Sequence, residues 1–169
     1  MAGDDAFTDV QAANDAYAGQ FRLAGLDGRA AKGLAVLTCM DTRIDPLAML
    51  GLAPGDAKIL RNAGARVTGD VLDTFVLAVH LLAVNRIMIV PHTRCRMAGG
   101  SEDGVHAAIR AAGGPDTRSI AFLTTADADA QQEALRGDVQ RVRSSPYVSD
   151  VTVGGFLYDV DDGRLRRVC

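Results

Sequence analysis

The sequence predicts an α/β fold: a mostly parallel central sheet flanked by helices, with a C-terminal antiparallel hairpin strand. Three observations predict it. Short apolar runs rich in β-branched residues alternate with longer segments of helical spacing, the pattern of strands joined by helical crossovers. The 169 residues, 48% apolar and 23% charged, suffice to bury roughly 70% of the surface the unfolded chain exposes, and that composition argues against disorder. Near the end, Asp162-Gly163 is a turn dipeptide of the kind that closes an antiparallel hairpin.

The elements follow in order. A single domain is expected over residues 1–169, with 1–30 as a helical N-terminal arm whose helix runs from Ala6 to Phe21. The first strand is Gly33 to Thr38, "GLAVLT". Asp45-Pro46 suits an N-cap followed by Pro at the first helical position, so a short helix is expected there. Ala57 to Leu60 is the second strand. Val71, Phe75, Ala78, Val79 and Leu82 fall on one face of a helix from about Asp70 to Val84. Arg86 to Val90 is the third strand, and Val105, Ala108, Ile109 and Ala112 mark the next helix. Ser119 to Leu123 is a fourth apolar run expected as a strand, and Asp129 to Arg143 reads as a helix that stops at Ser-Ser-Pro. Val151 to Val160 is the last long strand, its end from Tyr158 to Val160 pairing with Arg164 to Val168 across the Asp-Gly turn.

Charge and cysteine usage narrow the function. The formal net charge is −3 and the Lys and Arg are scattered, so no general attraction to nucleic acid or an anionic membrane is expected. Arg164, Arg166 and Arg167 form the one tight basic cluster, which a solvated terminal strand accounts for. The opening "MAGDDAFTDV" has neither a basic nor an apolar leader region. Phe75 to Val84, the most apolar stretch, is interrupted by His80 and falls short of the roughly 20 residues of a spanning helix. A cytoplasmic location is expected. Three cysteines, Cys39, Cys95 and Cys169, do not make a disulfide framework and point instead to a metal or catalytic use.

Cys39, Asp41 and Arg43 follow the first strand, and His92 and Cys95 follow the strand ending at Val90. Ligands of parallel α/β sheets collect at the carboxyl ends of the strands. If these two strands are neighbours, Cys39, His92 and Cys95 converge. Two thiolates and an imidazole suit zinc, which takes four tetrahedral ligands, the fourth position falling to water or to Asp41. Weighed against this, a lone buried Cys is usually a small hydrophobe, and Asp41 with Arg43 also reads as a structural ion pair. His80 reads as a core or interface histidine, His106 as a solvent-facing helix residue, and Cys169, the last residue, as exposed and incidental.

Cys39-Met40-Asp41-Thr42-Arg43 and His92-Thr93-Arg94-Cys95 together resemble the paired signature of the β-class carbonic anhydrases, Cys-x-Asp-x-Arg followed by His-x-x-Cys. "RNAGARVTGDVL" resembles that family's Arg-Asn-Ala-Gly segment and the start of its next helix. The likeness covers roughly Leu34 to Ile109. It implies zinc-dependent, reversible hydration of carbon dioxide to bicarbonate and a proton through a zinc-bound hydroxide, with Cys39, His92 and Cys95 as the zinc ligands. It implies catalytic roles for Asp41 and Arg43: Asp41 either pairs with Arg43 and orients the nucleophile, or swings to the zinc as a fourth ligand. Ala63 and Gly64 would lie beside the metal as substrate contacts. A homodimer or dimer of dimers is implied, with the N-terminal helix reaching over the partner.

Two residues depart from the family pattern. Arg96 stands where the family usually has Gly, and Pro91 where a small residue is common; both bear on rate and anion sensitivity more than on metal binding. Relatives on the same scaffold hydrolyse carbonyl sulfide or CS2, which makes that chemistry the enzymatic alternative. A non-catalytic zinc protein, a bicarbonate sensor or scaffold with Asp41 closing the site, is the alternative of another class. A thiol redox protein comes last, since no Cys-x-x-Cys is present.

Overall fold

The computed structural model describes residues 6–169; the first residues of the expected N-terminal arm, 1–5, lie outside the described residues. Five strands form one sheet in the order β2-β1-β3-β4-β5. They are β1 (Leu34–Cys39), β2 (Ala57–Asn62), β3 (Arg86–Val90), β4 (Thr152–Tyr158) and β5 (Leu165–Arg167). The first four run parallel and β5 is antiparallel to β4, as the hairpin at Asp162-Gly163 predicts. All six residues of β1 are buried, which fits a central strand covered on both faces and explains its unbroken apolar run.

Among the described residues four helices accompany the sheet: α1 (Thr8–Ala18), α2 (Gly69–Leu81), α3 (Glu102–Ala111) and α4 (Ala128–Arg143). On one face of the sheet, Ala35, Leu37, Ile87, Ile89 and Val153 belong to one core cluster with Phe75 and Ala78 of α2 and Leu135, Val139 and Val142 of α4. Phe75 is wholly buried, and burying such a side chain contributes about 1.5–3 kcal/mol. Leu34, Val36 and Val90 build the other face with Met49, Leu50 and Ile59. At Gly155 of β4 an added Cβ would lie 2.9 Å from Leu135 Cγ, so α4 packs directly on the strand backbone there. No helix among the described residues is long and apolar enough to cross a membrane.

Several expectations shift. Ser119 to Leu123 is not a strand. β3 has β1 on one side and β4 on the other, so this run does not enter the sheet beside β3. Instead Ile120 N–H closes a turn onto Thr117 O, and Phe122 N–H donates to Glu102 Oε1 at 2.7 Å. Asp45 Oδ1 accepts from the N–H groups of Leu47 and Ala48 as a cap should, yet only a single 3₁₀ turn, Ala48–Leu50, follows before Gly51 takes a left-handed φ of 62°. α2 ends before Val84 because Ala83 turns left-handed (φ 62°) and the N–H groups of Leu82 and Val84 both return to Ala78 O. The N-terminal helix is Thr8–Ala18 rather than Ala6 to Phe21, and it buries none of its residues.

Three side chains differ from expectation. His106 is buried, not solvent-facing: its Nδ1 lies 2.8 Å from Thr117 Oγ1 and its ring packs on Phe122. His80 is exposed within this chain and so is not a core residue of it, which bears on the core half of that reading and not on the interface half; its Nε2 lies 2.9 Å from Tyr147 O. Cys169 is half-buried against the core and exchanges backbone hydrogen bonds with Gly155.

Candidate metal centre

The chain runs from β1 outward to β2 on one side and to β3 on the other. That makes the carboxyl ends of β1 and β3 the topological switch point where an open parallel sheet leaves a crevice. Thr38 of β1 lies level with Val90 of β3, so the residues that follow, Cys39 on one side and Pro91-His92 on the other, emerge side by side.

Backbone contacts fix both emerging segments. Met40 N–H makes a last bond to Asn62 O at 3.0 Å. Arg61 then holds the turn beyond it, donating from Nε to Cys39 O at 2.9 Å and from Nη2 to Asp41 O at 2.7 Å. On the other strand, Tyr158 N–H donates to Pro91 O and Thr93 N–H to Tyr158 O, each at 2.9 Å, so β4 continues to guide the chain past the end of β3. Arg94 takes a left-handed φ of 53°, which turns the chain so that Cys95 faces back toward Cys39.

Three ligand atoms meet there. Cys39 Sγ and Cys95 Sγ are 3.9 Å apart, and both sulfurs and the His92 donor nitrogen lie within 4.8 Å of one another. All three residues are buried. The sulfurs are far outside the roughly 2.05 Å of a disulfide but close to the separation of about 3.8 Å that two thiolates reach on one tetrahedral zinc with Zn–S bonds near 2.3 Å. His92 Nδ1 lies 2.8 Å from Thr93 O. A carbonyl only accepts, so Nδ1 carries the proton and Nε2 keeps a lone pair. That Nε2 is buried without a hydrogen-bond partner, an expensive arrangement unless a donor or a metal ion meets its lone pair. The donor set, its spacing and the orphaned nitrogen fit a zinc ion.

Electrostatics agree. The neighbouring Cys95 thiol lowers the Cys39 pKa, aided by the His92 ring and by the backbone N–H groups of Gly64 and Asp41, while burial opposes the shift. Cys95 is pushed upward, first by Cys39 and then by burial; two unshielded thiolates at this distance repel, so the metal-free pair retains one proton. Gly64 N–H reaches Cys39 Sγ at 3.4 Å. Gly64 holds a φ of 85°, and a Cβ there would lie 3.3 Å from Met97 Cβ, so glycine lets the backbone approach the sulfur.

Asp41 does not join the cluster. Arg43 donates from Nε to Asp41 Oδ1 at 2.9 Å and from Nη2 to Oδ2 at 2.8 Å, and its backbone N–H reaches Oδ1 at 3.0 Å. Arg43 Nη2 also contacts Arg94 O at 3.2 Å. Hydrogen bonding to Arg43 holds the Asp41 carboxyl well below the usual carboxylate range. Oδ2 stands 3.7 Å from His92 Nε2, beyond hydrogen-bonding reach.

The remaining expected residues separate. Gly64 lies against Cys39, whereas Ala63 is exposed and lines a neighbouring hollow with Asn62 and Phe122. Arg96 is exposed, has no left-handed backbone, and borders another hollow with Gly99, Gly100 and Ser101. Pro91 is buried. Sequence reasoning missed Arg61, Arg66, Gln131 and Asp138, which support the centre from outside. Gln131 and Asp138 carry a recognisable signal: they are polar residues on the buried stripe of α4 that also holds Leu135, Val139 and Val142.

A family profile described as carbonic anhydrase matches residues 34–165. β-Carbonic anhydrase 1 of Mycobacterium tuberculosis is 33% identical over 140 residues, covering 81% of this chain and 82% of that protein. The chain belongs to the β-carbonic anhydrase family. Among solved structures, carbonic anhydrase from Streptococcus mutans superposes with a TM-score of 0.86 at 34% identity, covering 96% of this chain and 97% of that one. A carbon disulfide hydrolase from Acidithiobacillus thiooxidans is 29% identical over 169 residues, covering 87% of this chain and 77% of that protein. In this β-carbonic anhydrase family member the residue after the second cysteine is Arg96, and its backbone there makes no demand that only glycine meets.

Proposed function

We propose that this chain is a zinc-dependent carbonic anhydrase that interconverts carbon dioxide and bicarbonate. The observation that carries this reading is the meeting of Cys39 Sγ, Cys95 Sγ and the unpartnered His92 Nε2, with Asp41 held aside by Arg43. Cys39, His92 and Cys95 are the proposed zinc ligands, and three protein ligands leave one of four positions free. Bound zinc supplies a water whose pKa falls from about 15.7 to about 7, and hence a nucleophile for the carbon of carbon dioxide at neutral pH.

The chain's own groups do the rest. Asp41, kept ionised by Arg43, presents Oδ2 at the edge of the cluster as an acceptor that orients the attacking water. Arg43 restrains Asp41 through a bidentate pair that a lysine would not reproduce. Gly64 N–H stabilises negative charge on Cys39 Sγ. Water and carbon dioxide become bicarbonate and one proton, which leaves to solvent. Gly64 and Ala63 remain proposed substrate contacts, Gly64 with the better placement. The bidentate Asp41 pair favours this reading over a non-catalytic protein with Asp41 closing the site.

The same reading places the protein in the cytoplasm, where thiols stay reduced; its three cysteines are free. It also makes the protein a homodimer or dimer of dimers. α1 buries nothing within its own chain and exposes Val10 and Tyr17, with Phe7 exposed just before it, as suits residues 1–30 acting as an arm that packs on a second subunit. Likeness to a carbon disulfide hydrolase keeps CS2 or carbonyl sulfide hydrolysis as the second reading.

Zinc per chain and stopped-flow carbon dioxide hydration, measured from neutral to mildly alkaline pH, test the proposal. One zinc per chain with rapid hydration is expected. Absence of stoichiometric zinc overturns the site, zinc without hydration at any pH favours the closed or scaffold reading, and turnover of CS2 or carbonyl sulfide far above that of carbon dioxide reassigns the substrate.

A further inference from the structure

We propose that α4 is the scaffold of the metal centre, with Gln131 as a positioning residue for His92 and Asp138 as one for the loop that contacts Cys39. The inference rests on the zinc reading of the Cys39, His92 and Cys95 cluster.

The inner stripe of α4 holds Leu135, Val139 and Val142, which pack in the main core. Gln131 and Asp138 break that apolar stripe although each is more than nine-tenths buried. Burying an amide and a carboxylate at core-facing positions is costly unless both are hydrogen-bonded. Both are, and both partners belong to segments that carry the metal centre.

Gln131 Nε2 donates to His92 O at 3.0 Å. Across the same peptide unit, Thr93 N–H donates to Tyr158 O at 2.9 Å. The plane between His92 and Thr93 is therefore pinned on its carbonyl side by α4 and on its amide side by β4. The next carbonyl, Thr93 O, receives His92 Nδ1. Pinning this peptide plane holds the His92 backbone and the start of the residue whose carbonyl aims the imidazole, and so restrains the direction of Nε2.

Asp138 acts seven residues along, two helical turns or about 10.5 Å away. Its Oδ2 accepts from Arg66 Nε at 2.6 Å. Arg66 N–H donates to Asn62 Oδ1 at 2.9 Å, and Arg66 O accepts from Asn62 Nδ2 at 2.7 Å. The loop from Asn62 to Arg66 is closed on itself and tied to α4, and within it Gly64 N–H reaches Cys39 Sγ. Between helix and metal centre lies a pocket bordered by Gly64, Cys95, Gln131 and Asp138 whose volume of about 10 Å³ has room for about one water. α4 therefore forms a wall of the centre.

The test compares wild type with Gln131→Met and Asp138→Asn, and with Leu135→Ala as a packing control on the same helix face. Zinc affinity is read by competition with a chromophoric chelator, metal-site geometry by the visible spectrum of the Co²⁺-loaded protein, and folding by the melting temperature of metal-free protein. Loss of such an outer contact weakens metal binding roughly 10–100-fold, so Gln131→Met is expected to lose affinity by that factor and to shift the Co²⁺ spectrum. Leu135→Ala is expected to lower the melting temperature more than Gln131→Met does and to leave affinity unchanged. If Gln131→Met does not fold, Gln131→Leu, which also removes the donor, replaces it. Wild-type affinity and spectrum in both polar variants overturn the positioning role while leaving the zinc reading intact; a wild type that binds no zinc overturns both.

Discussion

Arg43 grips Asp41 through two parallel donors on one guanidinium edge, Nε to Oδ1 at 2.9 Å and Nη2 to Oδ2 at 2.8 Å, and so keeps the carboxylate 3.7 Å from His92 Nε2. Release of that grip gives Asp41 a path to the metal. Hydrogen bonds to charged groups are worth about 1.5–3 kcal/mol each. Arg43→Ala is therefore expected to lower kcat/KM for carbon dioxide hydration at neutral pH by roughly ten- to a hundredfold, with bound zinc retained. Arg43→Lys recovers only part of it, because an ammonium does not form the two-pronged contact. Stopped-flow rates that match wild type in Arg43→Ala would contradict this division of roles.

Gly64→Ala tests the close approach to Cys39. Its left-handed backbone disfavours a Cβ by roughly 1–2 kcal/mol, and Met97 stands in the way. The variant is expected to melt at lower temperature by an amount equivalent to that cost and to bind zinc more weakly, since relief of the strain pulls the N–H from the sulfur. Chemical denaturation together with chelator competition reads both effects.

Removal of zinc is expected to lower stability in proportion to its occupancy. A ligand present at a hundred times its dissociation constant contributes about 2.7 kcal/mol, so melting temperature is expected to rise with added zinc and fall with chelator. Cys39→Ser is expected to abolish that dependence. Calorimetry across a zinc series provides the measurement.

Arg96→Gly tests the departure from the family pattern. Arg96 is exposed, lies beside a separate hollow and has ordinary backbone geometry. Zinc affinity and hydration rate are expected to stay at wild-type values, with a loss of about 0.5–1 kcal/mol of stability from the added backbone freedom. A large change in rate or in inhibition by anions would place the guanidinium in the substrate path.

Thr117→Val removes the hydroxyl that faces His106 Nδ1 at 2.8 Å. A buried polar nitrogen left unpaired costs about 1–3 kcal/mol, and urea denaturation is expected to show a loss of that size without effect on zinc binding.

The sequence made the strand-and-helix order legible because periodicity and burial agree in β1, β3 and α2. Ser119 to Leu123 misled because an apolar run does not reveal whether its backbone pairs with a strand or, as here, with Thr117 O and the Glu102 side chain. His106 misled because its burial comes from Thr117 and Phe122, contacts that helical spacing does not reveal. At the centre, Cys39, His92 and Cys95 were readable from the carboxyl ends of two strands, once those strands were taken as neighbours. The supporting groups were not. Arg61 acts through backbone carbonyls, and Gln131 acts on His92 from 39 positions away, relationships that exist only in the folded chain.

The parallel pairing of β1 with β3 also dictates when the centre comes into being. Its ligands lie on two strands separated by the whole of β2 and α2, and such non-local parallel contacts form late and slowly. A nascent chain holds only the local His92-x-x-Cys95 pair and no third donor beside it. Tight metal capture must then await sheet closure, so the proposed zinc would act as a lock on the finished protein rather than a template for it.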